Sequence, residues 1–236
     1  EDEFGHYVQN MIRSEGVDTR AVRFDEVNPT GIMFKETSRG ETAVYYYRKH
    51  SAASAMEPED LERQRKGQEL LGRLIAPMVG LSWEPFGLEG MPAAWVRPER
   101  GHDKHRVVLY CHGGGYTSGN LGYSRILASK LANVTGHEVL SFEYRLAPEH
   151  HFPAPLEDVT KAWDYLMHLG YGARDIVVAG DSAGGNLALV LTMLLRDAGR
   201  LLPRRLVLMS PWTDMTASGK SYRERRDADP MITMNY

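Results

Sequence analysis

Apolar residues in this chain fall into two patterns, short near-continuous runs and runs spaced three to four apart. Residues 107–110, 138–142, 176–178 and 205–209 are short and largely apolar or β-branched, each bounded by polar or glycine-bearing stretches. Such runs predict strands buried on both faces. Between them Val159, Ala162, Trp163, Leu166 and Met167 recur on one face of a helix predicted over 158–169, and another apolar helix is predicted to follow residue 182. The alternation of strand and helix predicts an α/β fold whose mostly parallel sheet is covered on both faces.

Upstream the pattern is looser. Residues 82–86 and 93–97 read as two strands around turns at Gly87 and Gly90, followed by a charged loop over 97–105. Residues 61–76 place Leu70, Leu71, Leu74 and Ile75 on one side and Arg63, Arg65, Lys66 and Arg73 elsewhere. That spacing predicts an amphipathic helix packed on its own domain and ended by Pro77. Nearer the start, Phe4, Val8, Met11 and Ile12 recur at helical spacing before Gly16. Two strands are predicted over 31–35 and 42–48, joined by Ser38, Arg39 and Gly40.

Composition narrows the classes. With 236 residues, 42% of them hydrophobic, the chain can form one large core or two small ones. A formal net charge of −3 argues against a nucleic-acid-binding surface. No apolar run approaches the roughly 20 residues that span a bilayer, and no secretory leader pattern opens the sequence. The single Cys111 excludes an internal disulfide and suits a reducing cytoplasm. No Cys/His cluster has zinc spacing and no P-loop pattern occurs, so neither a metal nor an organic cofactor is expected.

The chemistry concentrates in two glycine-rich turns. Ile176, Val177 and Val178 run into Gly180-Asp181-Ser182-Ala183-Gly184, with the apolar helix directly after. This strand–turn–helix context presents Ser182 at the carboxyl end of a sheet and leaves the Ala183 amide at a helix start, where free N–H groups favour an anion. Likewise, the strand over 107–110 runs into Cys111-His112-Gly113-Gly114-Gly115-Tyr116, where three glycines let the backbone approach a ligand closely. A nucleophile and inward-turned amides are what acyl transfer needs.

Together HGGGY, YRLAPEHHFPAPLED, GDSAGGN and SPWTDMT resemble the hormone-sensitive-lipase-like esterases of the α/β-hydrolase fold, a likeness running from about residue 63 to the end. The resemblance implies that Ser182 is the nucleophile of an ester hydrolase. It implies that the amides of Gly114, Gly115 and Ala183 form the oxyanion hole, and that Gly113 and Tyr116 border the ester. Arg145 and Glu149 are expected to brace their loop. Asp181 is expected to point away from the reaction face of Ser182.

In that family the acid and the base follow the nucleophile beyond later strands. None of the nine His residues has the matching context, and Asp214, Asp227 and Asp229 precede the acid's place. The expected domain is therefore a partial α/β-hydrolase over 63–236, with the 205–209 strand left as an edge. Ser182 is expected to be impaired for want of a base. Two alternatives stand beside this reading, an inactive chimera and one half of a split enzyme completed by another chain or a second copy.

Residues 1–62 resemble something else. EDEFG, SEGVDTRAVR, PTGIMFKE and YYYRKHSAASAMEPEDL are similar to an internal piece of a ribokinase-like sugar kinase, closest to 2-keto-3-deoxygluconate kinases. The likeness implies a small α+β segment in which Tyr46 and Arg48 face a sugar acid, Arg48 pairing its carboxylate. On the residues alone, the same run reads as a solvated strand with a ladder of tyrosines.

Overall fold

In a computed structural model, the described residues are 80–99, 103, 105–216 and 218–222, with 6, 9, 10, 13, 62, 65–69 and the backbone of 32–38, 41–47, 104, 223 and 224. The chain divides into two compact units, residues 61–213 and residues 1–60 together with 214–236.

In the smaller unit, Ile32–Ser38 (β1) and Glu41–Tyr47 (β2) form an antiparallel hairpin, with Ser38 opposite Glu41 and Met33 opposite Tyr46. Residues 6, 9, 10 and 13 are helical; Phe4, Val8, Met11 and Ile12, whose spacing predicts a helix here, lie outside the described residues. Arg48 lies outside the described residues, and Tyr46 is described by its backbone alone.

The larger unit is built on a six-stranded sheet. Its first pair, Leu81–Leu88 (β3) and Met91–Pro98 (β4), is an antiparallel hairpin. Its turn is Glu89-Gly90, with φ of 46° and 87°. Positive φ at both central residues is the tight-turn geometry that matches strand twist, so Gly87 lies inside β3 rather than at the turn. Next come Asp103–Cys111 (β5), helix Leu121–Thr135 (α1), His137–Phe142 (β6), helix Ala154–His168 (α2), Ile176–Asp181 (β7), helix Ala183–Asp197 (α3) and Arg205–Met209 (β8). A short helix, Lys220–Glu224 (α4), follows in the smaller unit. Helix α2 starts four residues before the expected 158. Pro155 causes no break there, because the N–H groups of a helix's first turn have no partner to lose.

The strand order is β3-β4-β6-β5-β7-β8, parallel from β6 onward. Alternate residues of β5 serve two cores. Val107, Leu109 and Cys111 face Val159, Trp163 and Leu166 of α2 and Leu187, Leu191 and Leu195 of α3. Val108 and Tyr110 face Ala128 and Ala132 of α1. The chain leaves β5 across one face of the sheet and leaves β7 across the other. These neighbouring strands therefore open a crevice at their carboxyl ends, the place where parallel sheets bind ligands. Both glycine-rich turns sit there. At the far side β8 ends the sheet, with Val207 40% exposed, so among the described strands the predicted edge is present.

Candidate active site

Ser182 is exposed and stands between β7 and α3 with φ 51° and ψ −118°. A non-glycine residue holds such a conformation only where its surroundings impose it. Here the Ser182 N–H donates to Met209 O of β8 (3.0 Å), and its carbonyl accepts from Asn186 N (3.1 Å) and Trp212 N (3.0 Å). The backbone is thus pinned from the sheet and from the first turn of α3. Immediately beyond, the Ala183 amide opens α3, and no acceptor pairs with it among the described residues.

The glycine-rich loop leaves the carboxyl end of β5, whose neighbour in the sheet is β7, and its peptide planes are fixed through their carbonyls. His112 Nδ1 lies 2.7 Å from Gly113 O. Gly114 O accepts from Thr117 N (3.1 Å) and Ser118 N (2.9 Å). In a trans peptide the N–H points opposite to the C=O. Fixing the carbonyls of Gly113 and Gly114 therefore turns the amides of Gly114 and Gly115 to the opposite side, and neither has an acceptor among the described residues. The Gly113 amide is different, because it donates to Asp181 Oδ1 (2.9 Å). Gly114 and Gly115 have φ of 119° and 63°.

Tyr116 joins loop to helix, its hydroxyl donating to Asn186 Oδ1 (2.7 Å) while its carbonyl accepts from Ala147 N (2.8 Å). Burial pushes its phenol well above the ordinary value, so it remains a donor. Tyr144 donates to His112 O (2.7 Å) and stacks on the His112 ring with centroids 4.2 Å apart.

Arg145 and Glu149 brace the neighbouring loop, as their motif implies. Burial of the Asp158 carboxyl is outweighed by the Arg145 side chain (Nε 2.8 Å) and backbone N–H (2.9 Å), which hold it below the usual carboxylate range. Glu149 pairs with Arg65 (2.8 Å). The Arg65 guanidinium also donates to Thr117 O and Ala147 O, both at 2.7 Å, tying the loop's exit to the 147–149 turn. Glu149 is half exposed, so the two carbonyl bonds outweigh the ion pair. Arg65→Ala is expected to lower stability by about 2 kcal/mol, the range for charge-assisted bonds to partly buried acceptors, with Arg65→Lys recovering less than half. Urea unfolding midpoints check this.

No described histidine or carboxylate hydrogen-bonds the Ser182 hydroxyl. His112 is consumed by its loop, His168 Nδ1 lies 2.7 Å from Asp164 O, and His150 and His151 are exposed. Asp214 is a turn residue, accepting from the N–H and hydroxyl groups of Thr216 and Ser218, which hold its carboxyl far below the usual range. Asp227 and Asp229 lie outside the described residues. A cavity of about 710 Å³ borders Arg65, Trp83, Asn120, Arg125 and Glu143, but neither Ser182 nor Gly113 to Gly115 lines it.

An exposed serine with positive φ between a strand and a helix, at the same end of the sheet as a glycine-rich loop, is the strand–turn–helix context of a nucleophile elbow. A family described as the alpha/beta hydrolase fold matches residues 108–236. The chain is 37% identical over 183 residues to an acetyl-hydrolase of Streptomyces hygroscopicus, covering 78% of this chain and 59% of the relative. It is 34% identical over 164 residues to an esterase of Acinetobacter venetianus, covering 70% and 54%. The solved structure of an esterase from the bacterial hormone-sensitive lipase family superposes with a TM-score of 0.69 at 36% identity, over 77% of this chain and 61% of that one. A structure of EstE5 soaked with p-nitrophenyl butyrate superposes with a TM-score of 0.66 at 27% identity, over 98% and 65%. The chain belongs to the α/β-hydrolase fold family, in its hormone-sensitive-lipase-like esterase branch. It spans between half and three fifths of the length of the first two relatives.

Among the described residues, no helix is long and apolar enough to cross a membrane.

Proposed function

We propose that this chain carries the nucleophile and oxyanion hole of a carboxylic ester hydrolase. Ser182 Oγ attacks the ester carbonyl carbon and its proton passes to a base. The carbonyl oxygen, now negative, takes hydrogen bonds from the amides of Gly114, Gly115 and Ala183. Collapse expels the alcohol and leaves an acyl-Ser182, which water hydrolyses by the same route. Gly113 and Tyr116 border the ester. The observation that supports this most is the exposed, positive-φ Ser182 at the start of α3, with the Gly114, Gly115 and Ala183 amides left without an acceptor among the described residues.

No described residue takes the part of the base or its orienting acid, and on this reading turnover by the chain alone is slow. Loss of a triad base costs about a millionfold in turnover and leaves roughly a thousandfold or more over water. Either the catalytic set is completed by residues outside this span, by a complementary chain or a second copy, or the chain is an inactive chimera. The test is p-nitrophenyl butyrate hydrolysis by the purified chain beside Ser182→Ala. Slow release that falls at least about tenfold in the variant supports the reading, since the nucleophilic route is then lost. Equal rates in the two proteins would point to the chimera.

We read residues 1–62 as a sugar-kinase-like segment joined to a hydrolase domain over 63–236. Binding of 2-keto-3-deoxygluconate lost in Arg48→Ala tests the pairing inferred for Tyr46 and Arg48. A lone, fully buried Cys111 supports a reducing, cytoplasmic setting.

A further inference from the structure

The residue before the nucleophile has more hydrogen-bond donors aimed at it than its position in the elbow requires. Asp181 Oδ1 accepts from Tyr110 (2.7 Å) and from the Gly113 amide (2.9 Å), and Oδ2 accepts from Tyr123 (3.1 Å). The three donors come from β5, from the oxyanion loop and from α1, which lie 58 to 71 residues away in sequence. Loop and carboxylate are also in close register. A Cβ on Gly113 would collide with the Asp181 carboxylate, so the loop's first glycine rests directly on it.

We propose that Asp181 is the positioning residue of the oxyanion loop, holding the Gly113 amide so that the next two amides face the Ser182 reaction centre. This rests on the ester-hydrolase reading of Ser182. Three constraints then fix the loop. Asp181 takes the Gly113 N–H, His112 lies against the Gly113 carbonyl, and Thr117 with Ser118 takes the Gly114 carbonyl. Only the first constraint ties the loop to the strand that carries the nucleophile. Asp181 and Ser182 are consecutive, so a shift of the elbow carries the loop with it. The tyrosines keep the carboxylate in place. Burial, with the neighbouring Asp181 charge, raises both phenols, Tyr123 to about 12, so both hydroxyls stay protonated and donate. The Gly113 amide, being occupied, is not itself an oxyanion donor.

The test uses the whole chain and a fluorophosphonate probe, which labels a nucleophilic serine and places its phosphoryl oxygen in the oxyanion hole. Wild type, D181A, D181N and S182A are titrated with probe to separate the saturating labelling rate from the half-saturating concentration. In D181A the saturating rate is expected to fall roughly tenfold to a hundredfold, the scale for a disturbed oxyanion hole, with half-saturation unchanged. D181N keeps an acceptor oxygen towards Gly113 and is expected to recover most of the loss. D181A labelling at the wild-type rate, or D181N as slow as D181A, would overturn the proposal. A second measurement needs no variant. By amide hydrogen exchange in the wild-type chain, the Gly113 amide should exchange more slowly than those of Gly114 and Gly115. Equal exchange at all three positions overturns the anchor even if D181A does not fold. S182A labelling like the wild type defeats the ester-hydrolase reading instead, and in that case, or where the wild type labels too slowly for titration for want of a base, the exchange measurement alone decides Asp181.

Discussion

Replacing Gly184 with alanine is expected to cost at least about 3 kcal/mol of stability, the upper end of ordinary overpacking, and to abolish labelling at Ser182. Gly184 lies in the first turn of α3, and a Cβ there would collide with the backbone carbonyls of Cys111 and His112. Neither side can yield cheaply. Cys111 ends β5, paired with Gly180 of β7 in the middle of the sheet. Gly184 is in a helix whose start is fixed by the bonds to the Ser182 carbonyl. The added methyl must therefore lift α3 from the end of β5. That movement would separate the Ala183 amide from those of Gly114 and Gly115, so the chemistry is lost with the packing. Gly87→Ala is the control, since a Cβ there meets nothing within 4 Å and its φ is not positive. It is expected to be neutral or mildly stabilising. Urea midpoints for the two variants decide the matter. G184A as stable as G87A would mean that the elbow and the end of β5 do not touch as closely as the structure shows.

The two turns were legible in the sequence because their chemistry resides in the backbone, and backbone demands dictate residue type. GDSAGG and HGGGY can be read without knowing what lies beside them. The parallel strands were legible for a related reason, since burial on both faces leaves almost no polar position in 107–110 or 176–178. Helix α1 was not legible. Its buried positions are Ser124, Ala128, Ser129 and Ala132, small residues that fit close to the sheet and give no apolar stripe. The start of β5 escaped for another reason. Asp103 pairs with His137 across an irregularity that ends only at Val107, so the charged stretch 103–106 reads as loop. Asp181 was expected to point away from the reaction face, and no bond to Ser182 is present. Its partners Tyr110, Gly113 and Tyr123 carry no local sign of it, because only the folded sheet brings them together.

Acid is expected to destabilise the chain well before its carboxylates protonate, because of His112. This ring is fully buried, stacked on Tyr144 and edge-on to Tyr123 with centroids 6.4 Å apart. Its Nδ1 can bond Gly113 O only as a donor, so the neutral ring carries its proton there. Nε2 is then a lone pair with no partner. A second proton would place a charged N–H in the core without an acceptor. Burial accordingly lowers the pKa to about 4, against smaller opposing contributions from the Gly113 carbonyl and the Asp181 charge.

In the unfolded chain the same ring titrates near 6.5. Between those values the unfolded state binds more protons than the native state, so stability falls as pH falls and the loss levels off below about pH 4. By linkage the loss should reach about 2 kcal/mol between pH 7.5 and pH 5. Asp158, Glu149 and Asp214 have lowered values, so their contributions are lost at lower pH, as their unfolded carboxyls begin to protonate. Glu143, raised by burial, acts in the opposite sense and offsets part of the loss. His112→Phe keeps an aromatic ring against Tyr144 but cannot titrate. It should be less stable than wild type at pH 7.5 and show little of the decline towards pH 5. Parallel declines in the two proteins would assign the acid sensitivity to another group. A steep wild-type decline absent from the variant would place it at the ring beside the Gly113 carbonyl. Protonation that expels this ring also frees that carbonyl, and with it the orientation of the Gly114 amide, so the oxyanion hole proposed for this loop should fail over the same pH range as the fold.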